Sequence, residues 1–239
     1  MSTRTTRTTR TTRTTRTTRT TRTTRTSTSA RWPRRALALL LALLLTGGGL
    51  AMTGGAARPT PAYALGPGRV CVFLAPQGAP LAGFYAGHVG WAFLEGGTSN
   101  WIFGATENRS GWPFVKPGDN NYAWVSNGPW DSVLATFAGQ LVIGGTFYHG
   151  ADYYTQFRCQ NTSNSSVGAA VARANAIKGY GYGFVTDNCL DHAYNVLTTY
   201  GGSMVYPASN SGFWTPNGWF TALGVFSGFG PVSYLASER

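Results

Sequence analysis

Two apolar stretches follow residue 65, and both predict strands. The run 70–74 is continuously apolar until Pro76, and 88–94 alternates with a period of two. Turn-forming residues at 96–99 connect this second strand to 101–106. We therefore expect 88–94 and 101–106 to form an antiparallel hairpin.

The rest of the chain predicts a loop, further strands and then two helices. Residues 108–127 are rich in Pro, Gly and Asn and are interpreted as a loop, whereas 133–148 is expected to contain strands. From Ser165 the apolar period changes to 3.6, which predicts one helix ending at Gly179 and a second ending at Gly201. Their apolar faces consist of Val167, Ala170, Val171, Ala174 and Ile177, and of Leu190, Ala193, Tyr194, Leu197 and Tyr200.

These elements favour one α+β domain at 65–239, with an antiparallel sheet and packed helices. About 175 residues are enough for one sizeable core. The residues beyond Pro207 are rich in Gly and aromatic side chains and receive no assignment.

The first 64 residues have the composition of a targeting segment. A Thr-Thr-Arg tract is followed by the Ala/Leu run 36–45 and then by small residues, which is the order found in secretory signals. Cleavage is expected after 62–64 or at the competing site 55–57; an uncleaved anchor and a twin-arginine route stay open. We expect the mature protein to be secreted or associated with the cell envelope, without a stable membrane span.

The net charge of +11 belongs to this segment and not to the domain. Twelve of the nineteen basic residues precede Leu65, which leaves seven against eight acidic residues in the domain. The basic surface that nucleic-acid binding requires is therefore missing from the folded region, and no nucleic-acid partner is expected.

Three cysteines, Cys71, Cys159 and Cys189, remain in a chain expected to reach an oxidising compartment. An odd number leaves one thiol unpaired within the chain. Cys189 follows Asp187 and Asn188, either of which can cap the second predicted helix. A helix N-terminus favours a thiolate and offers backbone donors for an oxyanion, although a buried structural cysteine is the alternative.

His88, at the start of its strand, is the candidate base for Cys189. Its neighbours on the same face, Gly90 and Ala92, are small and are expected to let the Cys189 helix approach. A structural histidine is the alternative interpretation.

The segments Gly87–Ala92 and Asn188–Gly201 resemble the circularly permuted NlpC/P60 superfamily, which includes the lecithin:retinol acyltransferase-like proteins. Members have a Gly-His pair leading the base strand and an Asn-Cys pair opening the nucleophile helix. The resemblance implies a circularly permuted papain-like fold, with Cys189 as nucleophile and His88 as base; His192 is given no role.

A third polar residue orients the base in that family, on the strand after the histidine. Folding the hairpin about Gly97 and Thr98 brings His88 opposite Glu107, which is expected to accept the Nδ1–H of the imidazole. Asn100 and Asn108 are the alternatives.

With Cys189 as nucleophile, Cys71 and Cys159 are expected to form a disulfide. A metal site made by Cys189 and His192 with His149 or His88 is a minor alternative, and no cofactor is expected. We expect an exported cysteine hydrolase or acyltransferase that acts on amide or ester bonds, its substrate an envelope peptide, lipid or glycan. The competing hypothesis is a catalytically silent module that binds envelope polymers through its aromatic side chains, or carbohydrates through its tryptophans.

Overall fold

A computed structural model describes residues 66–81, 83–109, 111–206 and 215–238. The expected targeting segment 1–64, with both cleavage sites, lies outside the described residues, as does 207–214. No helix in the described ranges has the length and apolar character needed to cross a membrane.

The described residues form twelve strands, four helices and one 3₁₀ turn. The strands are β1 (Gly68–Ala75), β2 (Pro80–Leu81), β3 (Phe84–Tyr85), β4 (His88–Leu94), β5 (Asn100–Thr106), β6 (Phe114–Val115), β7 (Ala123–Pro129), β8 (Leu141–Ile143), β9 (Thr146–His149), β10 (Gln156–Thr162), β11 (Tyr182–Gly183) and β12 (Ser233–Tyr234). The helices are α1 (Trp130–Ala138), α2 (Val167–Ile177), α3 (Cys189–Tyr200) and α4 (Pro216–Phe226), and Leu235–Ser237 is the 3₁₀ turn.

Six strands form one sheet in the order β12-β10-β1-β4-β5-β7, and every neighbouring pair is antiparallel. Since helices cover this antiparallel sheet, the protein is α+β as expected. β1 lies in the middle of the sheet, and its apolar run is buried on both faces because a core lies on each side.

The two cores contain different helices. We call the first the helical core: α2, α3 and α4 pack there on one face of the sheet, with Val89 and Trp91 of β4 among its members. The second, the aromatic core, lies on the opposite face, where α1 packs with Phe73, Phe103 and Trp124. Aromatic rings in the second core stack closely, with 3.9 Å between the centroids of Phe73 and Phe137.

The predicted hairpin and both predicted helices are confirmed, and two other predictions are wrong in part. Residues 108–127 include β6 and the first part of β7, and 133–148 begins with α1 and not with a strand. Val133, Leu134 and Phe137 lie on the buried side of α1, because their spacing suits one helical face. The strand material expected in 133–148, notably at 141–143, is confirmed further along as β8 and β9.

The disulfide between Cys71 and Cys159 is confirmed. These residues are direct cross-strand partners of β1 and β10, with Cα atoms 4.1 Å apart, and Cys189 is free. β10 itself was not predicted, because Gln156–Thr162 is mostly polar.

Candidate active site

The first side chain of α3 is the candidate nucleophile, Cys189. Asn188 caps this helix: its side-chain oxygen accepts from the backbone N–H groups of Leu190 and Asp191, at 2.9 and 3.2 Å. Asp191 completes a capping box by accepting from the Asn188 N–H. The cap occupies two of the backbone donors expected to hold an oxyanion, which leaves the N–H of Cys189 itself.

Cys189 is free but 3 % exposed, so it lies at the bottom of its site and not on the surface. The thiol nevertheless has polar neighbours. His88 and Tyr182 lie near enough that, beside the effect of burial, the charge of Cys189 acts on the pKa of each. A thiol in this setting differs from one packed only against apolar groups.

The hairpin brings His88 and Glu107 together. β4 and β5 pair with Gly90 opposite Ala105, and the same register continued by two residues sets His88 opposite Glu107, as the turn position had predicted. Nε2 of His88 lies 3.1 Å from Oε2 of Glu107, and both side chains are buried. This contact is an ion pair whose angles fall short of a well-aligned hydrogen bond.

The imidazole is turned the other way from our expectation. We expected Nδ1 to face Glu107, but Nε2 does so. Because Nε2 faces the carboxylate, Nδ1 is the ring nitrogen that remains for another partner. This orientation lets one ring contact thiol and carboxylate together.

Three groups hold the Glu107 carboxylate in place. Beside His88 at Oε2, Oε1 accepts from the Trp124 indole N–H at 3.0 Å and from the Tyr154 hydroxyl at 3.1 Å. Burial alone raises the pKa of Glu107, but the charges of His88 and His149 and the hydrogen bond from Trp124 lower it below its usual value. The carboxylate is therefore ionised at neutral pH.

His88 is protonated more readily than an ordinary histidine. Burial lowers its pKa, but the charges of Cys189, Tyr153 and Glu107 raise the pKa well above 6.5. Cys189, His88 and Glu107 therefore form one row of interacting groups, with His88 in the middle.

Tyr182, Tyr153 and Gly78 belong to the site but were not singled out from the sequence. Tyr182 lies in the Tyr-Gly-Tyr-Gly segment, which was interpreted only as a turn before α3. The ring of Tyr153 lies 5.9 Å from the ring of His88. A Cβ at Gly78 would come within 2.5 Å of the His88 Cβ, so only glycine allows this approach.

The expected role of Gly90 and Ala92 is wrong. Both lie on the face of β4 that meets the aromatic core, where a Cβ at Gly90 would collide with the ring of Phe137. α3 packs on the opposite face, against Val89 and Trp91. Cys189 therefore approaches His88 from across the sheet, at the end of β4.

The alternatives to Glu107 occupy other positions. Asn100 donates to the Glu95 carboxylate at 2.9 Å, near the opposite end of the hairpin. Asn108 lies beside Glu107 in the cleft wall, and its side chain donates to the carbonyl of Trp112. Neither is hydrogen-bonded to the imidazole in this structure.

The other histidines do not join the row. His192 is buried, its Nδ1 lies 2.9 Å from the Thr106 hydroxyl, and burial lowers its pKa to about 4. His149 stacks on Tyr153 in the layer behind Glu107. Among the described residues, no group of three or more His, Cys, Asp or Glu side chains could hold a metal ion.

Most described tryptophans are core residues and not a stacking surface. Trp91, Trp101, Trp124 and Trp219 are buried, whereas Trp112 is 71 % exposed. Trp214 lies outside the described residues. This distribution removes much of the support for carbohydrate binding through a row of exposed rings.

Two cavities meet at the row. A cleft of about 380 Å³ is lined by His88, Glu107, Trp112 and Tyr153, and a recess of about 20 Å³ is lined by Cys189, Ala86 and Pro216. Ala79, Tyr182 and Phe184 contribute to both. A substrate group can therefore reach Cys189 and His88 from the same opening.

Comparison with known proteins gave no match of any kind: no protein-family model, no curated protein and no solved structure is significantly similar to this chain.

Proposed function

We propose that this protein is a cysteine-nucleophile hydrolase or acyltransferase that cleaves or transfers amide or ester bonds. The observation that carries the proposal is the row Cys189, His88 and Glu107, with a helix N-terminus at one end and a fully bonded carboxylate at the other. The order of these residues along the chain supports the permuted papain-like fold implied by the superfamily resemblance.

Each group has one chemical task in this proposal. The Cys189 thiolate attacks a carbonyl carbon, and the His88 imidazolium gives its proton to the leaving nitrogen or oxygen. Glu107 keeps the imidazole oriented and charged. The Cys189 N–H and the Tyr182 hydroxyl are assigned to the oxyanion.

The substrate is proposed to be an envelope peptide, lipid or glycan that the protein meets after export. The intrachain disulfide and the signal-like order of residues 1–64 support an extracytoplasmic location. The near-neutral domain is consistent with a partner other than nucleic acid.

The test is to incubate the full chain with purified peptidoglycan fragments and, separately, with phospholipid and lipopeptide mixtures. Mass spectrometry follows released products and acyl adducts on Cys189. Cys189→Ala is expected to abolish both, and His88→Ala to slow turnover by about 10²–10⁴-fold. Asn195→Ala, on the exposed side of α3, is the matched control and should react like the wild type.

No product and no adduct in every mixture would contradict the enzyme. If Cys189→Ala still bound one of the polymers tightly in that case, the silent binding module would replace it.

A further inference from the structure

The two cavities at Cys189 differ in size, and this difference bears on what the site accepts. The cleft of about 380 Å³ falls in the range of small-molecule sites. The recess of about 20 Å³ holds roughly one water-sized group. One side of a bound substrate therefore has far less room than the other.

The proposed reaction determines which cavity holds the acyl group and which holds the leaving group. The leaving group must receive a proton from His88, and His88 lines the large cleft but not the recess. The acyl group stays on the sulfur, and Cys189 lines the recess. The small side consequently takes the acyl group and the large side takes the leaving group.

Among the described residues that line the cleft, none carries a charge free to pair with a charged leaving group. Its ionisable lining residues are His88 and Glu107, which pair with each other, and Tyr153 and Tyr182, whose pKa values burial raises. The guanidinium of nearby Arg109 lies over the Phe147 ring, 4.9 Å from its centroid.

Because an unpaired charge is costly to transfer from water, a carboxylate or phosphate would enter this cleft poorly.

The cleft walls instead suit an apolar ring. Trp112 is 71 % exposed at the opening, and Tyr153, Tyr182 and Phe184 line the interior. Aromatic side chains bind flat rings and apolar bodies through large contact areas.

We infer, on the basis of the proposed function, that the bond cleaved in the envelope substrate is an uncharged amide or ester that joins an acetyl-sized acyl group to an apolar, ring-bearing amine or alcohol. Cys189 Sγ forms a bond to the carbonyl carbon, and the C–N or C–O bond breaks. The proton on His88 moves to the leaving atom. Water then attacks the thioester, which releases the small acid and returns the thiolate and the imidazolium.

The experiment compares acyl size and leaving-group charge in the full chain. The size pair is 4-nitrophenyl acetate and 4-nitrophenyl octanoate. The charge pair is the acetate esters of 4-hydroxybenzamide and 4-hydroxybenzoate, which differ in charge but hardly in shape. Phenol release and the mass of Cys189 are followed, with Cys189→Ala as the background.

We expect kcat/KM for the acetyl ester to exceed that for the octanoyl ester by at least about tenfold, and the neutral leaving group to be preferred by a similar factor. Phe184→Ala should raise the octanoyl-to-acetyl ratio, since Phe184 borders the recess. Phe114→Ala, a 63 % exposed ring that lines neither cavity, is the matched control and should leave the ratio unchanged.

The outcomes separate this inference from the proposed function. Cys189-dependent acylation that is faster with octanoate, or with the benzoate, would overturn the inference and leave the enzyme intact. No Cys189-dependent acylation by any ester, in protein whose Cys189 still reacts with iodoacetamide, would overturn both.

Discussion

Removal of the disulfide is expected to bring the domain close to the limit of folding. The change is the double substitution Cys71→Ala and Cys159→Ala, which cuts the bridge between β1 and β10. Strand pairing continues on both sides of the bridge, from Gly68 opposite Thr162 to Leu74 opposite Gln156. The folded sheet therefore keeps its register, and the main effect falls on the unfolded chain.

The size of the effect follows from the loop that the bridge closes. For a sequence separation of 88, the loop-entropy relation gives about 15 cal/mol/K, or about 4.6 kcal/mol at 25 °C. Loss of the buried sulfur of Cys71 adds roughly 1 kcal/mol. Since a domain of this size has a free energy of unfolding of about 5–15 kcal/mol, the variant would lose between about a third and all of its stability.

Urea unfolding followed by tryptophan fluorescence measures this loss. Cys189→Ala is the control, because it removes one buried sulfur and leaves the bridge intact; it should cost about 1 kcal/mol. The difference between the two variants isolates the cross-link.

A difference below about 2 kcal/mol between these variants would refute the reasoning, because the loop-entropy effect would then be mostly absent. A non-reducing peptide map with Cys189 in a disulfide would refute the pairing itself, and with it the nucleophile.

Four further outcomes are expected at the site and beside it. In Cys189→Ala the pKa of His88 should fall, because the charge that most strongly opposes the effect of burial is lost. NMR titration of the imidazole measures this pKa, and an unchanged value would mean that Cys189 and His88 do not interact. Protonated His88 contributes stability that is fully present below about pH 6.5 and is lost as pH rises through the folded-state pKa. Because that pKa is lower in Cys189→Ala, this contribution should be lost at a lower pH there than in the wild type. Tyr182→Phe should slow acylation by esters by about 10²–10³-fold while the free energy of unfolding changes by less than about 1.5 kcal/mol; wild-type rates would remove its hydroxyl from the oxyanion site. Gly90→Ala should lower the free energy of unfolding by about 1–3 kcal/mol, since the added methyl collides with Phe137; a neutral result in urea unfolding would mean that the ring moves aside freely.

The pairing of His88 with Glu107 could be predicted because it depends on local information. A turn at a known position fixes the register of a hairpin, and register fixes which residues lie opposite each other. The position of Cys189 at the N-terminus of α3 could be predicted for the same reason, since the capping residue and the apolar face of the helix lie within a few residues of it.

The surroundings of Glu107 could not be predicted in this way. Tyr154 donates across 47 positions, and nothing near Glu107 in the chain indicates that contact. The face of the sheet on which α3 packs could not be predicted either. Small residues such as Gly90 and Ala92 allow an element to pack closely, but they do not indicate which element it is. The neighbour is α1, a helix that was not predicted from the sequence.

The approach of Cys189 from across the sheet makes the site sensitive to both halves of the interior. Cys189 is held by the helical core, whereas Trp124 and Tyr154, which hold Glu107, belong to the aromatic core. A small shift in either layer separates the sulfur from the ring while most of the fold persists. Catalysis would therefore disappear before the chain unfolds, and natural selection acting on turnover alone would preserve packing on each side of the sheet.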